Sequence, residues 1–378
     1  MSEAADALEP PVEPPVEPML ARPAVSSSLD GFADSAFEPK WDGFRCLAFR
    51  QANGLILQGR GRSRSPGEVV DLAYAFPELI EPMMDALRPG TVIDSEIVVE
   101  VDGRLDFAAL SSRLRPRSAS AAPSIARLAR SLPATVLAFD LLATGRSVMA
   151  LTFRERRSML HDLAAGWSRP LRITPSTEDP IEAMDWFHRF EAAGVDGLIV
   201  KPLADAYQPG KRAQWKVKHH RTADVVVAGW RPQSAPHGGE VVGSLLLGLY
   251  DEQGQLHYVG GASAFTATRR QELVHELAPF AVQHGDVHPW TQPGGNRVPG
   301  GETRWGPGKA WRPLAPSLVA EVSYDQPEGQ RFRHAAVFMR WRPDRSPDSC
   351  GFDQFAVPVP ASIDALLGLS RSSLPREA

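Results

Sequence analysis

A lysine, an aspartate followed by glycine, and an arginine stand at short offsets in Lys40-Trp41-Asp42-Gly43-Phe44-Arg45. These residue types suit phosphate chemistry. The amine can act as nucleophile, the glycine lets backbone turn tightly or approach a ligand closely, and the arginine offers a planar fork for phosphate or a hydroxyl. A lysine attacks phosphorus only when unprotonated, and with an ordinary pKa near ~10.4 it is almost wholly protonated at neutral pH. The chemistry therefore calls for burial or neighbouring cations that favour the neutral amine. Further along, Glu96 stands in an apolar, β-branched run over residues 91–100, where an acid is costly unless it is paired or bound to metal. Lys216 and Lys218 are two apart, so on a strand both face the same way and can reach one phosphate.

Strands and turns must hold these groups. Residues 45–60 alternate as a hairpin with Asn53-Gly54 at its turn, which puts Lys40 just before a strand. Residues 67–87 have helical spacing interrupted by Pro77, predicting two short helices or a kinked one. Residues 91–100 and 104–107 form a second hairpin about Asp102-Gly103, and residues 134–142 read as a buried strand. Thr152 with Glu155 is a capping box that opens a helix to about residue 165, and Asp179-Pro180 caps another that Gly194 closes. Strands over 195–202 and 213–219 follow. Helices fall irregularly among hairpins, predicting an α+β domain with antiparallel sheets. From about residue 222 the texture becomes five short strands with one helix, near 268–280, predicting an all-β barrel of the oligonucleotide-binding (OB) type. The expected boundaries are a Pro-rich, extended or disordered leader over 1–18, a first domain over 19–220, the barrel domain over 221–360 and a tail over 361–378.

At 378 residues the chain is long enough for two cores, and its 43% hydrophobic and 23% charged residues are those of an ordinary soluble globular protein. No apolar run approaches a membrane span, and the first residues lack the pattern of a signal peptide. Cys46 and Cys350 are too few for a disulfide framework or a four-cysteine zinc site, so the chain is read as cytoplasmic. A net charge of −4 gives no global attraction to nucleic acid, so such a partner must be held by local patches. Residues 111–130, with Arg113, Arg115 and Arg117, and residues 211–221 are basic stretches without an acid.

The hexapeptide at Lys40 resembles the K-x-D-G-x-R motif of the covalent nucleotidyltransferases, the superfamily of ATP-dependent DNA ligases, RNA ligases and mRNA capping enzymes. Further motifs follow in that family's order. Arg60 matches an arginine that binds ribose or the DNA end, without the serine that usually precedes it. Asp94-Ser95-Glu96 resembles D-G-E, with Ser95 in place of glycine, and Glu96 implied to bind ribose or metal. Phe139-Asp140-Leu141-Leu142 matches F-D-L-L, which implies that Phe139 stacks on the purine. Asp196-Gly197-Leu198-Ile199-Val200-Lys201 resembles E-G-[LV]-V-V-K, with Asp196 in place of the glutamate at the second metal and Lys201 implied at the α-phosphate. Trp215-Lys216-Val217-Lys218 is similar to a shortened W-x-K-x-K. Arg340, Arg342 and Asp344 lie in a stretch resembling the last motif, which orients the pyrophosphate leaving group, with Arg345 in place of its lysine. Glu38 corresponds to the position that reads adenine.

The whole pattern most resembles the small bacterial C-type ATP-dependent DNA ligases. That resemblance implies a catalytic set of Lys40, Asp42 and Arg45, with ATP and Mg2+ or Mn2+ as cofactors, the metal held by Glu96 and Asp196. It further implies Arg60 together with Arg113, Arg115 and Arg117 as DNA contacts, and a monomer sealing nicks in duplex DNA in repair. The reaction it implies runs from a lysyl-AMP, through transfer of AMP to the 5′-phosphate, to attack by the 3′-hydroxyl. The alternatives are an RNA ligase or GTP-using capping-type enzyme, and a nucleic-acid-binding module without turnover.

Overall fold

Apolar and β-branched runs become strands because alternate residues can be buried on opposite faces of a sheet. The computed structural model describes residues 12–24, 28–60, 69–114, 121–191, 194–219, 221–235, 238–282, 287–291, 310–325, 327–355 and 362–368. The chain divides into two units, Met1–His219 together with Pro358–Ala378, and His220–Val357.

In the first unit the strands and helices are, in order, β1 (Ala21–Pro23), β2 (Ser35–Pro39), β3 (Phe44–Arg50), β4 (Leu55–Gly59), α1 (Ile80–Ala86), β5 (Thr91–Val101), β6 (Arg104–Leu105), α2 (Phe107–Ser112), α3 (Ala122–Ser131), β7 (Ala134–Thr144), α4 (Phe153–Leu163), β8 (Leu171–Ile173), α5 (Pro180–Phe190), β9 (Gly197–Pro202) and β10 (Gln214–Lys218). They build two sheets. One has the order β4-β3-β5-β7-β8, with β6 paired to β5; the other has the order β1-β10-β9-β2. Both are mainly antiparallel, with parallel pairs at β7–β8 and β1–β10. Period two sorts β3 between two cores: Cys46 and Ala48 join one cluster with Phe76 and Ile93, while Leu47 and Phe49 join another with Val12, Met19 and Tyr207.

The Thr152 capping box forms as expected, its hydroxyl and the Glu155 carboxylate bonding reciprocally at the start of α4. Gly194 closes the α5 region with φ +84°, a conformation that favours glycine. The expectation of two short helices, or a kinked one, over 67–87 is corrected in its first half. Before Pro77 the described chain runs as a bridge and turns, with Asp71 opposite Gln58, and only a short 3-10 turn and α1 follow. The Arg-rich stretch over 111–130 carries α3 in its second half. The described part of the leader, residues 12–18, is not loose: Val12 is buried and Val16 packs against the same cluster.

The second unit contains β11 (Arg221–Ser234), β12 (Glu240–Tyr250), β13 (Leu256–Ala262), α6 (Ala267–Leu277), β14 (Arg312–Tyr324), the short pair β15 (Pro327–Glu328) and β16 (Arg331–Phe332), and β17 (Val337–Trp341). Its sheet has the order β13-β12-β11-β14-β17 around an apolar core that includes Leu247, Trp290 and Val322. Five strands with one inserted helix fit the expected OB-type unit. Its two edges meet at a parallel bridge, Ala262–Ala336, not along a continuous ladder. A last helix, α7 (Ile363–Leu366), belongs to the first unit, where Ile363 packs with Trp41, Val98 and Phe190.

Candidate active site

Lys40 stands where the chain leaves one sheet for the other, one residue after β2 and four before β3. Its backbone is pinned to the start of β9: its N–H donates to the Gly197 carbonyl at 2.8 Å, and its carbonyl accepts from Asp196 N–H at 2.9 Å. This crossover needs its glycines. A Cβ at Gly43 would lie 2.3 Å from the Ile97 carbonyl oxygen, and one at Gly197 would lie 2.0 Å from that of Val217. Side chains from both sheets therefore converge on a cleft of about 610 Å3, within the ordinary size range for a ligand site.

Of the residues expected from the sequence, Glu38, Lys40, Arg45, Arg60, Glu96, Phe139, Lys201 and Lys216 all line this cleft. Asp196 and Lys218 adjoin it through Lys40: the Lys40 Nζ lies 2.6 Å from Asp196 Oδ2, which lies 3.6 Å from the Lys218 ammonium. Asp42 is not among the lining residues, but its charge helps raise the pKa of Glu96.

Glu96, on β5, has its carboxyl pushed up to about 7. Burial is the main cause, and Arg45 and Lys40 pull the other way. Arg45 is held by Asp94 through two bonds, Nε to Oδ1 at 2.5 Å and Nη2 to Oδ2 at 2.6 Å. Burial opposes the charge of Arg45, but the Asp94 carboxylate outweighs it, so the guanidinium stays charged. The Phe139 ring, on β7, has the Arg45 guanidinium 4.5 Å and the Lys201 ammonium 4.7 Å from its centroid.

Lys201 and Glu38 face each other across the β2–β9 pair. The ammonium lies 2.7 Å from Glu38 Oε2 and donates to the Phe139 carbonyl at 2.9 Å. Burial lowers the pKa of Lys201, and Glu38 and Asp140 offset part of that. The other oxygen, Glu38 Oε1, is buried 3.4 Å from Arg157 Nη1 with no hydrogen-bond partner among the described residues.

One expectation is overturned. Arg113, read as a DNA contact, is fully buried: its guanidinium bonds Glu78 and the carbonyls of Ala75 and Leu132, and it lies over the Phe76 ring. It ties α2 to the chain around Pro77 and has no surface to offer a phosphate. Arg115 and Arg117 lie outside the described residues. In the second unit, Arg340 pairs with Glu321 at 2.7 Å, and Arg342 bonds both Asp224 and Asp344.

The sequence reading missed Tyr207 and the role of Asp94. The Tyr207 hydroxyl donates to Asp94 Oδ2 at 2.7 Å and accepts from Met19 N–H at 3.0 Å. Burial, and then Asp94, hold its pKa well above the ordinary phenol value. An aspartate on an apolar strand was the available signal, but its partners are 49 and 113 residues away in the chain.

The cleft has an amine at its centre with an aromatic ring and several cations around it, and comparison with known proteins gives the family. Residues 18–218 match the family model described as ATP dependent DNA ligase domain, and residues 238–345 match ATP dependent DNA ligase C terminal region. The chain is 44% identical over 337 residues to DNA ligase C2 of Mycolicibacterium smegmatis, covering 86% of this chain and 91% of that one. It is 42% identical over 346 residues to DNA ligase C of Mycobacterium tuberculosis, covering 88% and 93%. A solved Lig E DNA ligase superposes with a TM-score of 0.52 over 86% of this chain and 99% of that one, at 17% identity, a likeness of fold alone. With the lysine crossover, the aromatic platform and the cations in one cleft, and with both family models matched in order, the chain belongs to the ATP-dependent DNA ligases.

Proposed function

We propose that this ATP-dependent ligase seals 5′-phosphate to 3′-hydroxyl nicks in duplex DNA through a phosphoramidate on Lys40, and that it serves DNA repair. The observation that carries the reading is the position of Lys40, held by its backbone at the junction of two sheets inside a cleft with an aromatic ring and several cations.

In the first step the neutral amine of Lys40 attacks the α-phosphorus of ATP. The new P–N bond forms as the bond to the bridging oxygen breaks, and pyrophosphate leaves with that electron pair. The amine must shed a proton, and Asp196, 2.6 Å away, is the base nearest at hand. Phe139 provides a ring for the purine, and Glu38, at the cleft wall, is the acceptor for the exocyclic amine of adenine. Arg60 and Lys216, with Lys218 beside Asp196, supply positive charge for the phosphates. Lys201 is engaged by Glu38, so its contact with the α-phosphate requires that pair to loosen. Positioning and charge neutralisation dominate such transfers.

The donor set fits Mg2+ or Mn2+ in part. Among the described residues no three acidic, histidine or cysteine side chains form a metal-binding group. Glu96 and Asp196 are hard oxygen donors of the kind that share Mg2+ with substrate phosphates, and they are the residues that would hold it. Such an ion neutralises phosphate oxygens. The first unit acts as the adenylation domain and the second as the OB domain, on nicked duplex DNA, in a monomer. Among the described residues no helix is long and apolar enough to cross a membrane.

The test is incubation with ATP labelled at the α-phosphate and a divalent cation, followed by denaturation. Label should stay on the chain, vanish in Lys40→Ala, and move to a nicked duplex when DNA is added. Label from GTP in place of ATP would refute the reading in favour of capping-type chemistry.

A further inference from the structure

The N-terminal segment ahead of the lysine motif runs along the nucleotide cleft, and two side chains outside the cleft hold it there. Pro18, Leu20 and Ala21 line the cleft. On one side of them, the Gln58 side chain grips Val16 as a neighbouring strand would: Val16 N–H donates to Gln58 Oε1 at 3.0 Å, and Gln58 Nε2 donates to the Val16 carbonyl at 2.6 Å. At Met19 the hold is a closed ring of hydrogen bonds. Met19 N–H donates to the Tyr207 hydroxyl, which donates to Asp94; Asp94 accepts from Arg45, and Arg45 Nη2 donates back to the Met19 carbonyl at 3.2 Å. Beyond it, Leu20 N–H donates to the Lys211 carbonyl at 2.8 Å, and β1 pairs with β10. Neither Gln58 nor Tyr207 lines the cleft.

We propose that the segment around Pro18, Leu20 and Ala21 forms a wall of the ATP cleft latched by Gln58 and Tyr207, and that Tyr207 is a positioning residue setting ATP affinity through its hold on Met19. This rests on the nucleotide reading of the cleft. Two requirements follow from the geometry. The phenol must donate and accept at once, because Asp94 offers only acceptors and the Met19 backbone only a donor. Phenylalanine fills the same space with neither, so it leaves Arg45 paired to Asp94 and frees the wall at one point. Once AMP is covalently attached to Lys40, affinity for ATP no longer matters, so the effect is confined to the first step.

The test measures self-adenylation of the full chain against ATP concentration, then sealing of nicked DNA by enzyme adenylated beforehand. Tyr207→Phe should raise the half-saturating ATP concentration about fivefold, the size expected from one net hydrogen bond, with the maximal rate little changed. Gln58→Ala should do the same. The double variant should fall short of the product of the two, because both substitutions release one segment. Pre-adenylated Tyr207→Phe should seal at the wild-type rate. Wild-type half-saturation in both variants, or a loss in the maximal rate alone at an unchanged Tm, would overturn the proposal. Lys40→Ala separates the two levels: label surviving in it sinks the nucleotide reading and this proposal with it. Label lost there but unaffected by Tyr207→Phe and Gln58→Ala sinks only the latches.

Discussion

Around the cleft of the first unit, charges are held in fixed pairs with at least one partner buried: Asp94 with Arg45, Glu38 with Lys201, and behind them Asp140 with Arg156, the last two pairs essentially without exposure. In the second unit Arg340 sits at the surface, 63% exposed beside Glu321, while Arg342, itself mostly covered, shares itself between the half-buried Asp224 and the exposed Asp344. The difference follows from solvation. A buried pair holds its geometry because either partner alone would be left desolvated, whereas an exposed pair is screened and can exchange its partner for a phosphate at small cost. The first arrangement suits a site that must be preorganised, and the second suits groups that engage a substrate transiently.

Breaking the deepest pair should therefore have the largest effect on stability. Arg156 donates to both oxygens of Asp140, at 2.8 and 3.0 Å, and also to the Leu151 and Asp205 carbonyls. Arg156→Ala strands the carboxylate behind Phe139 and should destabilise the first unit by about 3–5 kcal/mol. Thermal unfolding would show this as a fall in Tm of roughly 10 °C. Replacing both partners with apolar residues, Asp140→Leu with Arg156→Met, should recover much of the loss. A double variant no better than the single would mean that the network, and not desolvation, sets the cost.

Gly43→Ala comes next. Its Cβ would press on the Ile97 carbonyl and the Glu96 side chain at 2.8 Å, so overpacking should cost about 1–3 kcal/mol and displace the crossover that carries Lys40. Gly54→Ala, in the hairpin turn with nothing within 4 Å, is the matched control. Self-adenylation should fall far more in the first than in the second, and equal losses would contradict the account of the crossover.

Glu96 supplies a pH test. Its folded-state pKa, about 7 through burial, is above its ordinary value of 4.5. Between those values the folded state holds a proton that the unfolded state has released, so stability falls as pH rises from about 4.5 to 7 and is flat beyond. Glu96→Gln removes this slope. At pH 8 and low salt the variant should be the more stable by on the order of 2 kcal/mol, and below pH 4.5 the two should converge. Parallel Tm curves would show that Glu96 is not desolvated as described.

The sequence was most readable where the signal is local. Alternation and Asn53-Gly54 define the β3–β4 hairpin, and Thr152 with Glu155 defines the start of α4, because those interactions close within a few residues. It misled where the deciding contact is distant. Arg113 reads as one more surface arginine until Glu78, 35 residues upstream, and the Leu132 carbonyl close over it. Helical spacing over 67–87 lost to Asp71, which bonds Leu57 and Ala73 N–H in the arrangement of a strand edge and turn. The lysine, its glycine and the cleft-lining motif residues were legible as a site. Tyr207 was not, since an isolated tyrosine in a loop carries no mark of an aspartate 113 residues away.

The smallest effect on stability should come from the exposed motif. Arg340 pairs on the surface of β17 with Glu321, across the β14–β17 ladder. Exposed pairs contribute less than about 1 kcal/mol, so Arg340→Ala should leave Tm nearly unchanged. If the motif orients the departing pyrophosphate, the loss appears in the maximal rate of self-adenylation, while sealing by pre-adenylated enzyme is retained. That profile is the reverse of the one expected for Tyr207→Phe, which shifts ATP half-saturation and spares the maximal rate. An Arg340→Ala enzyme that unfolds early would mean that surface charge in the second unit is structural after all. One that adenylates normally but binds nicked DNA with a shallower salt dependence would place Arg340 on the DNA backbone instead, since each lost phosphate contact lowers that slope by about one.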